Sequence, residues 1–465
     1  MKKLFYAVLA IVFTAPTFEG KAQISQNVQM LYNWKDTAIP GSFLYNNAYN
    51  EVWGAVVNNR EFAIIGSTLG THIFDVTNPA ATSLSAFVPG KAQGRGIIHR
   101  DYKTYRNFLY AVSDEGQSSL QIIDLSQLPA AAPVVYDSDS LLVNCHNIFI
   151  DTATAKLYAC AVRGRDSSGQ SVNVGLQVYS LANPVRPQLL ANYNAAGVVH
   201  DAFVRNDTAF LNAGGIGLRV VNFSNPANPV LLGQLSQYPF KGYNHSGWLS
   251  ADGNTYVFAD ETHGAELKVT DVQNLSNIQV ISTFTSGITS NSIPHNQVVK
   301  GNYVFVSYYY DGLQIFDISN PAYPVKVGFY DTYPDPNTVS YQGAWGVYPF
   351  LPSGNILVSD MQYGLFVFNV AGAVSGTKNE QMSSLPLQVY PNPFTSQLTL
   401  QMPDEVLHTT NKSLTLTDML GREVYAIKLM PDQQVVHLPE SITAGVYQLH
   451  VKTGEHQWIR KVVRQ

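Results

Sequence analysis

Apolar and polar residues alternate with a period of two along most of this chain, in short runs broken by Gly, Asn and Pro. That pattern predicts half-buried β-strands joined by tight turns rather than helices. One phrase recurs: THIFDVTNP (71–79), SLQIIDLSQLP (119–129), GLQVYSLANP (175–184), GLRVVNFSNP (217–226), ELKVTDVQNL (266–275), GLQIFDISNP (312–321) and GLFVFNV (364–370). A second phrase precedes each copy and opens on an aromatic residue: Trp53, His99, His146, His200, His245, His295 and Trp345, spaced by 45 to 54 residues. Another strand lies between the two phrases, as in NYVFVSY (302–308), and a further one follows most copies, as in PVKVGFY (324–330).

Four strands per repeat, at a period of about 40–50 residues, predict the blades of a β-propeller. Counting the opening phrases gives seven. The last repeat stops at Val370 without a fourth strand, while NVQMLYNW (27–34) has no partner before the first. The N-terminal strand is therefore expected to complete the seventh blade, closing the ring and removing an exposed strand edge. Two stacked sandwiches would leave the seven copies of both phrases unexplained. Asp124, Asp271 and Asp317, each at the end of a recurring phrase, are expected to cap its turn, and Asp151 to hold a hairpin turn.

Composition adds compartment to this picture. Charged residues are 13% of the chain and the net charge is −5, with no basic run, so nucleic acid is not an expected partner. Residues 1–22 have a lysine head, an apolar stretch from Leu4 to Ala15 and small residues at Gly20 and Ala22. This arrangement predicts a cleavable signal peptide, and no later run is long enough to span a membrane. The two cysteines, Cys145 and Cys160, flank a hairpin; in an oxidising compartment a disulfide is expected, with two buried thiols as the alternative. Residues 371–386 are small and polar, as suits a linker, and 387–465 return to short alternating strands suited to a compact Ig-like β-sandwich.

The phrases GLRVVNFSNP and GLQIFDISNP, with the His-Asn and His-Asp openings, resemble the LVIVD-repeat family, including exported choice-of-anchor B proteins. That resemblance implies a secreted or surface propeller over residues 23–370 and no settled activity. The tail resembles the type IX secretion C-terminal sorting domain through Tyr390-Pro391-Asn392-Pro393-Phe394, Gly421-Arg422-Glu423, Gly445-Val446-Tyr447 and Lys461-Val462-Val463. It implies that the type IX machinery handles residues 387–465 and delivers the protein outside the cell or to its surface.

Candidate chemistry gathers where the opening residues line a channel mouth. If the blades superpose, His99, His146, His200, His245 and His295 form one ring with Trp53 and Trp345. Asp114, Glu115, Asp260, Glu261, Asp311 and Asp360, at the ends of the second strands, would lie at the same rim with Tyr308, Tyr309 and Tyr310. Imidazoles and carboxylates on one axis suit a divalent metal, as a cofactor the sequence does not require. Asn147, Asp201 and Asn296 are the expected partners for the second ring nitrogens. The plainer alternative is that each histidine bonds the next strand's carbonyl for the sake of its blade. His263, in an acidic loop, is expected to be solvated. No G-x-S-x-G, phosphate-loop, H-E-x-x-H or cysteine metal motif occurs. The favoured expectation is a non-enzymatic scaffold that binds an extracellular glycan, peptide or protein at its mouth; the alternative is a metal-dependent hydrolase or lyase.

Overall fold

The structure, a computed structural model, describes residues 25–465 except 166–167, 289–290, 375–386, 411, 419–422 and 454–455. The expected signal peptide, most of the expected linker and the Gly421-Arg422 pair lie outside the described residues.

The repeated alternation becomes seven antiparallel sheets among the described residues of 25–374, each built on four consecutive strand positions. The innermost strands are Tyr49–Val57, Arg100–Tyr105, Asn147–Asp151, Asp201–Arg205, Asn244–Leu249, Asn296–Lys300 and Ala344–Tyr348. Each innermost strand packs beside the next, and the seventh packs against the first, so the ring of blades closes. Gln29–Trp34 pairs with Gly364–Asn369 as the fourth strand of the seventh sheet, as the missing strand required. Ser25–Gln26 goes further than expected and adds a fifth strand to the sixth sheet.

Period-two burial explains the interior. Inner strands present one set of residues to each neighbouring blade, and aliphatic side chains such as Ile64, Leu157, Leu211, Val257, Val306 and Val358 are fully buried between sheets. The turn aspartates do what their position demands: Asp124, Asp271 and Asp317 accept from the backbone N–H of Ser126, Gln273 and Ser319 at 2.8, 2.9 and 2.8 Å. Asp151 likewise accepts from Ala153 N–H at 3.2 Å.

Two expectations are corrected. Cys145 and Cys160 are buried free thiols. Cys160 pairs across the ladder with Asn147, not with Cys145. The two side chains sit in different cores, on opposite sides of the third sheet, so their Cβ vectors diverge. Ala371–Val374 is not linker but a single helical turn whose Ala373 is buried in the core of the last two blades.

The chain divides into two compact units, 1–374 and 375–465. The second holds a three-stranded sheet (Gln388–Tyr390, Gln397–Gln401, Val435–His437) and a four-stranded one (Lys412–Asp418, Glu423–Leu429, Gly445–Lys452, Gln457–Arg464). Leu398, Leu414, Leu449 and Trp458 share one core in it. No helix among the described residues is long and apolar enough to cross a membrane.

Candidate functional site at the channel mouth

Each ring histidine stands at the start of its blade's innermost strand, and for three of them a bond to the second strand fixes the backbone. His146, His200 and His295 donate their backbone N–H to the carbonyls of Cys160, Asn212 and Ser307 at 3.1, 2.8 and 2.9 Å. The imidazoles then meet in sequence around the axis. Ring centroids are 4.4 Å apart for His99–His146, 4.0 Å for His146–His200, 4.1 Å for His200–His245 and 4.5 Å for His245–His295. Trp345 closes the circle, 4.3 Å from His295 and 5.5 Å from His99.

Trp53 does not join them. It pairs with Ile64 deep in its strand, whereas Trp345 sits in a bulge at its strand end, between Ala344 opposite Asp360 and Gly346 opposite Ser359. The matching level of the first blade is Tyr49–Val52, three residues earlier. Trp53 instead packs on Tyr348 at 4.9 Å, lies under the Lys103 ammonium and donates its indole N–H to Thr104 Oγ1 at 3.1 Å.

The expected rim acids separate into two groups. Asp114 Oδ2 is 2.8 Å from His146 Nδ1, and Glu261 Oε2 is 3.5 Å from His245 Nε2. Glu115 lies beside them but accepts the backbone N–H groups of Ile98 and His99, so it shapes the loop. The other three serve the scaffold. Asp260 is fully buried against Lys268, Tyr238 and the Gly242 N–H. Asp311 holds Ser286, and Asp360 holds Thr332, Gln362 and Tyr363. Among the tyrosines it is Tyr309, not its neighbours, that reaches the ring. Its hydroxyl donates to Glu261 Oε1 at 2.5 Å and its ring lies 5.1 Å from His295. Tyr308 points into a core, and Tyr310 bonds Thr338 and packs on Tyr333. His263 Nδ1 meets the Asn291 carbonyl on its loop at 2.8 Å.

The second ring nitrogens of His200 and His295 find backbone, and none finds the side chain expected of it. His200 Nδ1 faces the His245 carbonyl at 3.2 Å and His295 Nδ1 faces the Trp345 carbonyl at 2.6 Å. A nitrogen facing a carbonyl must carry the proton, so in the neutral ring Nε2 keeps its lone pair. Asn147 Oδ1 is buried without a partner, Asp201 accepts from Ala202 N–H, and Asn296 donates to Glu51 Oε2 at 2.8 Å. Among the described residues, the buried Nδ1 of His99 and the indole nitrogen of Trp345 also have no partner.

Electrostatics follow from this packing. Burial, then the neighbouring imidazoles, holds His99, His200 and His245 well below the ordinary imidazole value, and burial brings His295 down to about 3. His146 is the exception: burial opposes its charge, but the Asp114 hydrogen bond and charge outweigh burial and raise it. Burial raises the Glu261 carboxyl despite the Tyr309 hydroxyl. Two groups of three side chains bring their ligand atoms within 4.8 Å of one another: His99, Asp114 and His146, and His200, His245 and Glu261.

Below the ring lies a layer of which the sequence pointed only to Asp201. Lys103 bonds both oxygens of Asp101 at 3.0 and 3.1 Å. Burial raises Asp201 to about 7 and Glu51 to about 8, the latter with help from Asp101 and against Lys103. No phrase marks Glu51 or Lys103, since they sit in strand interiors whose opposite faces carry the alternation.

Residues 388–465 match the secretion system C-terminal sorting domain, and residues 196–236 and 296–332 match the LVIVD repeat. The chain carries LVIVD repeats and a type IX sorting domain. The sorting domain marks this chain for secretion or the cell surface. No curated protein matches the chain in sequence. Among solved structures it is similar to a Cps50 (Swd1) β-propeller domain from Myceliophteria thermophila, at 10% identity and a TM-score of 0.49, over 73% of this chain and 99% of that one. It is also similar to PorZ, an essential bacterial surface component of the type-IX secretion system of Porphyromonas gingivalis, at 11% identity and a TM-score of 0.46. That likeness covers 93% of this chain and 61% of PorZ. The fold assignment rests on the seven closed sheets and the repeat, not on these distant likenesses.

Proposed function

We propose that this protein is a secreted or surface-displayed propeller that binds an extracellular ligand at its channel mouth through a divalent transition-metal ion held by the histidine ring. The observation that carries this reading is the His200–His245–Glu261 group: two imidazoles kept neutral by burial and a carboxylate, with ligand atoms within 4.8 Å of one another. Metal ligation needs the neutral ring, and the carbonyl bonded to His200 Nδ1 leaves Nε2 as the ligand atom, an outer-shell arrangement common to metal histidines. Two imidazoles and one carboxylate suit zinc or iron and leave coordination positions for a ligand. The contacts of His200 and His295 with the next blade's carbonyls also support the plainer role, but that role engages only Nδ1.

Full-length protein reconstituted with zinc and dialysed is expected to retain near-stoichiometric metal by elemental analysis. The H200A/H245A double variant is expected to lose it. Retention by the variant, or no metal in either protein, would return the ring to a structural role. The second reading, a metal-dependent hydrolase, is favoured by the coordination positions that two imidazoles and one carboxylate leave open for a metal-bound water. A zinc-dependent ester or amide hydrolysis that disappears together with the metal in H200A/H245A would select it over binding alone.

A further inference from the structure

A cleft of about 470 Å³ opens beside the histidine ring, between the third and fourth blades, and shares Asp114 with it. The long hairpin Lys156–Arg165 and Ser171–Ser180 forms one wall, where Val162 and Val174 supply apolar surface, with Val198 opposite. Its polar groups are unevenly satisfied. Arg163 donates from Nη2 to the Gly116 carbonyl at 3.0 Å, and among the described residues no carboxylate lies within ion-pair distance of its guanidinium. Asn144 is 3% exposed; its amide donates to the same carbonyl at 2.8 Å, while its buried Oδ1 has no partner. Asn194 Oδ1 accepts the Gly175 N–H at 2.8 Å.

These groups ask for complementary chemistry in one molecule. A guanidinium without an acid recognises an anionic oxygen, such as that of a carboxylate. An unpaired buried carbonyl oxygen needs a donor, which a carboxylate cannot supply and a hydroxyl can. Asp114, 36% exposed and bonded through Oδ2 to His146, accepts a second hydroxyl. Apolar walls suit the C–H faces of a ring.

We propose that the cleft binds an acidic sugar, a hexuronate unit whose carboxylate pairs with Arg163 and whose hydroxyls donate to Asn144 and Asp114. This rests on reading the mouth as a ligand site, but not on the metal. The sugar's far end would face the histidine ring, so a metal there adds affinity to an existing contact.

Galacturonate, glucuronate and neutral galactose are titrated calorimetrically into full-length protein, chelator-treated and zinc-loaded, beside R163M. The expected result is uronate binding to the chelated protein, no binding of galactose, and a loss of at least about tenfold in R163M. Zinc content and melting temperature of R163M should match wild type, which separates lost recognition from lost fold. Uronate binding without any zinc binding would sink the metal reading and keep the cleft. Absent uronate binding, equal binding of galactose, or binding unchanged in R163M would overturn the proposal even if zinc binds as expected.

Discussion

At the residue scale, what each histidine can do depends on where its first nitrogen goes. His200 and His295 give Nδ1 to a carbonyl of the following blade, and His146 gives it to Asp114. The repeated position was legible because five successive blades present a histidine to the axis. The partners were not legible, because two of the three are backbone atoms that sequence cannot mark. The layer beneath yields a pH prediction. Burial lifts Glu51 from the ordinary 4.5 to about 8. The native state therefore holds this proton more tightly than the unfolded chain does. Its favourable contribution is fully present below about 4.5 and is lost as pH rises through about 8. E51Q, which cannot ionise, is expected to lose on the order of a few kcal/mol less stability than wild type over that range. Denaturant melts at several pH values measure this; parallel curves for both proteins would contradict it. The cysteines give a second prediction. Alkylation of unreduced, denatured protein should modify both Cys145 and Cys160, and reductant should leave the melting temperature unchanged.

At the element scale, closure depends on one N-terminal strand. Trp34 stands on Gln29–Trp34, which belongs to the seventh sheet, yet its ring meets Phe74 at 4.7 Å and His72 at 4.9 Å in the first sheet. It therefore links the two ends of the ring by packing as well as by hydrogen bonds. W34A is expected to cost about 2–3 kcal/mol, the upper part of the range for a half-buried aromatic, read by chemical denaturation. A loss under about 0.5 kcal/mol would show that backbone pairing alone closes the ring. Strand existence and order were legible because the alternation is strong and repeated seven times. Register was less so. The shared Trp-Gly of Trp53 and Trp345 invited superposition, but the two stand at different levels of their strands, because a bulge near Asn50 shifts the first strand against its neighbour. Likewise, the hairpin around Cys145 and Cys160 put two thiols near one another in sequence without putting them on one face.

At the scale of the whole molecule, two kinds of information sit in separate units. Residues 388–465 carry the address, and their motifs could be found in the text alone. The propeller carries the candidate chemistry, which is gathered from six blades and so leaves no local motif; the acids at the mouth could not be sorted from those in the loops until strand ends were fixed in space. Asp260 and Glu261 show why: adjacent in sequence, one is buried against Lys268 and the other faces His245. A divalent metal held at the mouth would be seen by crystallising the zinc-loaded protein and locating anomalous scattering at the zinc edge. The account predicts a peak about 2.0–2.2 Å from ligand atoms of His200, His245 and Glu261. A mouth with no anomalous peak, in crystals grown with zinc, would contradict it.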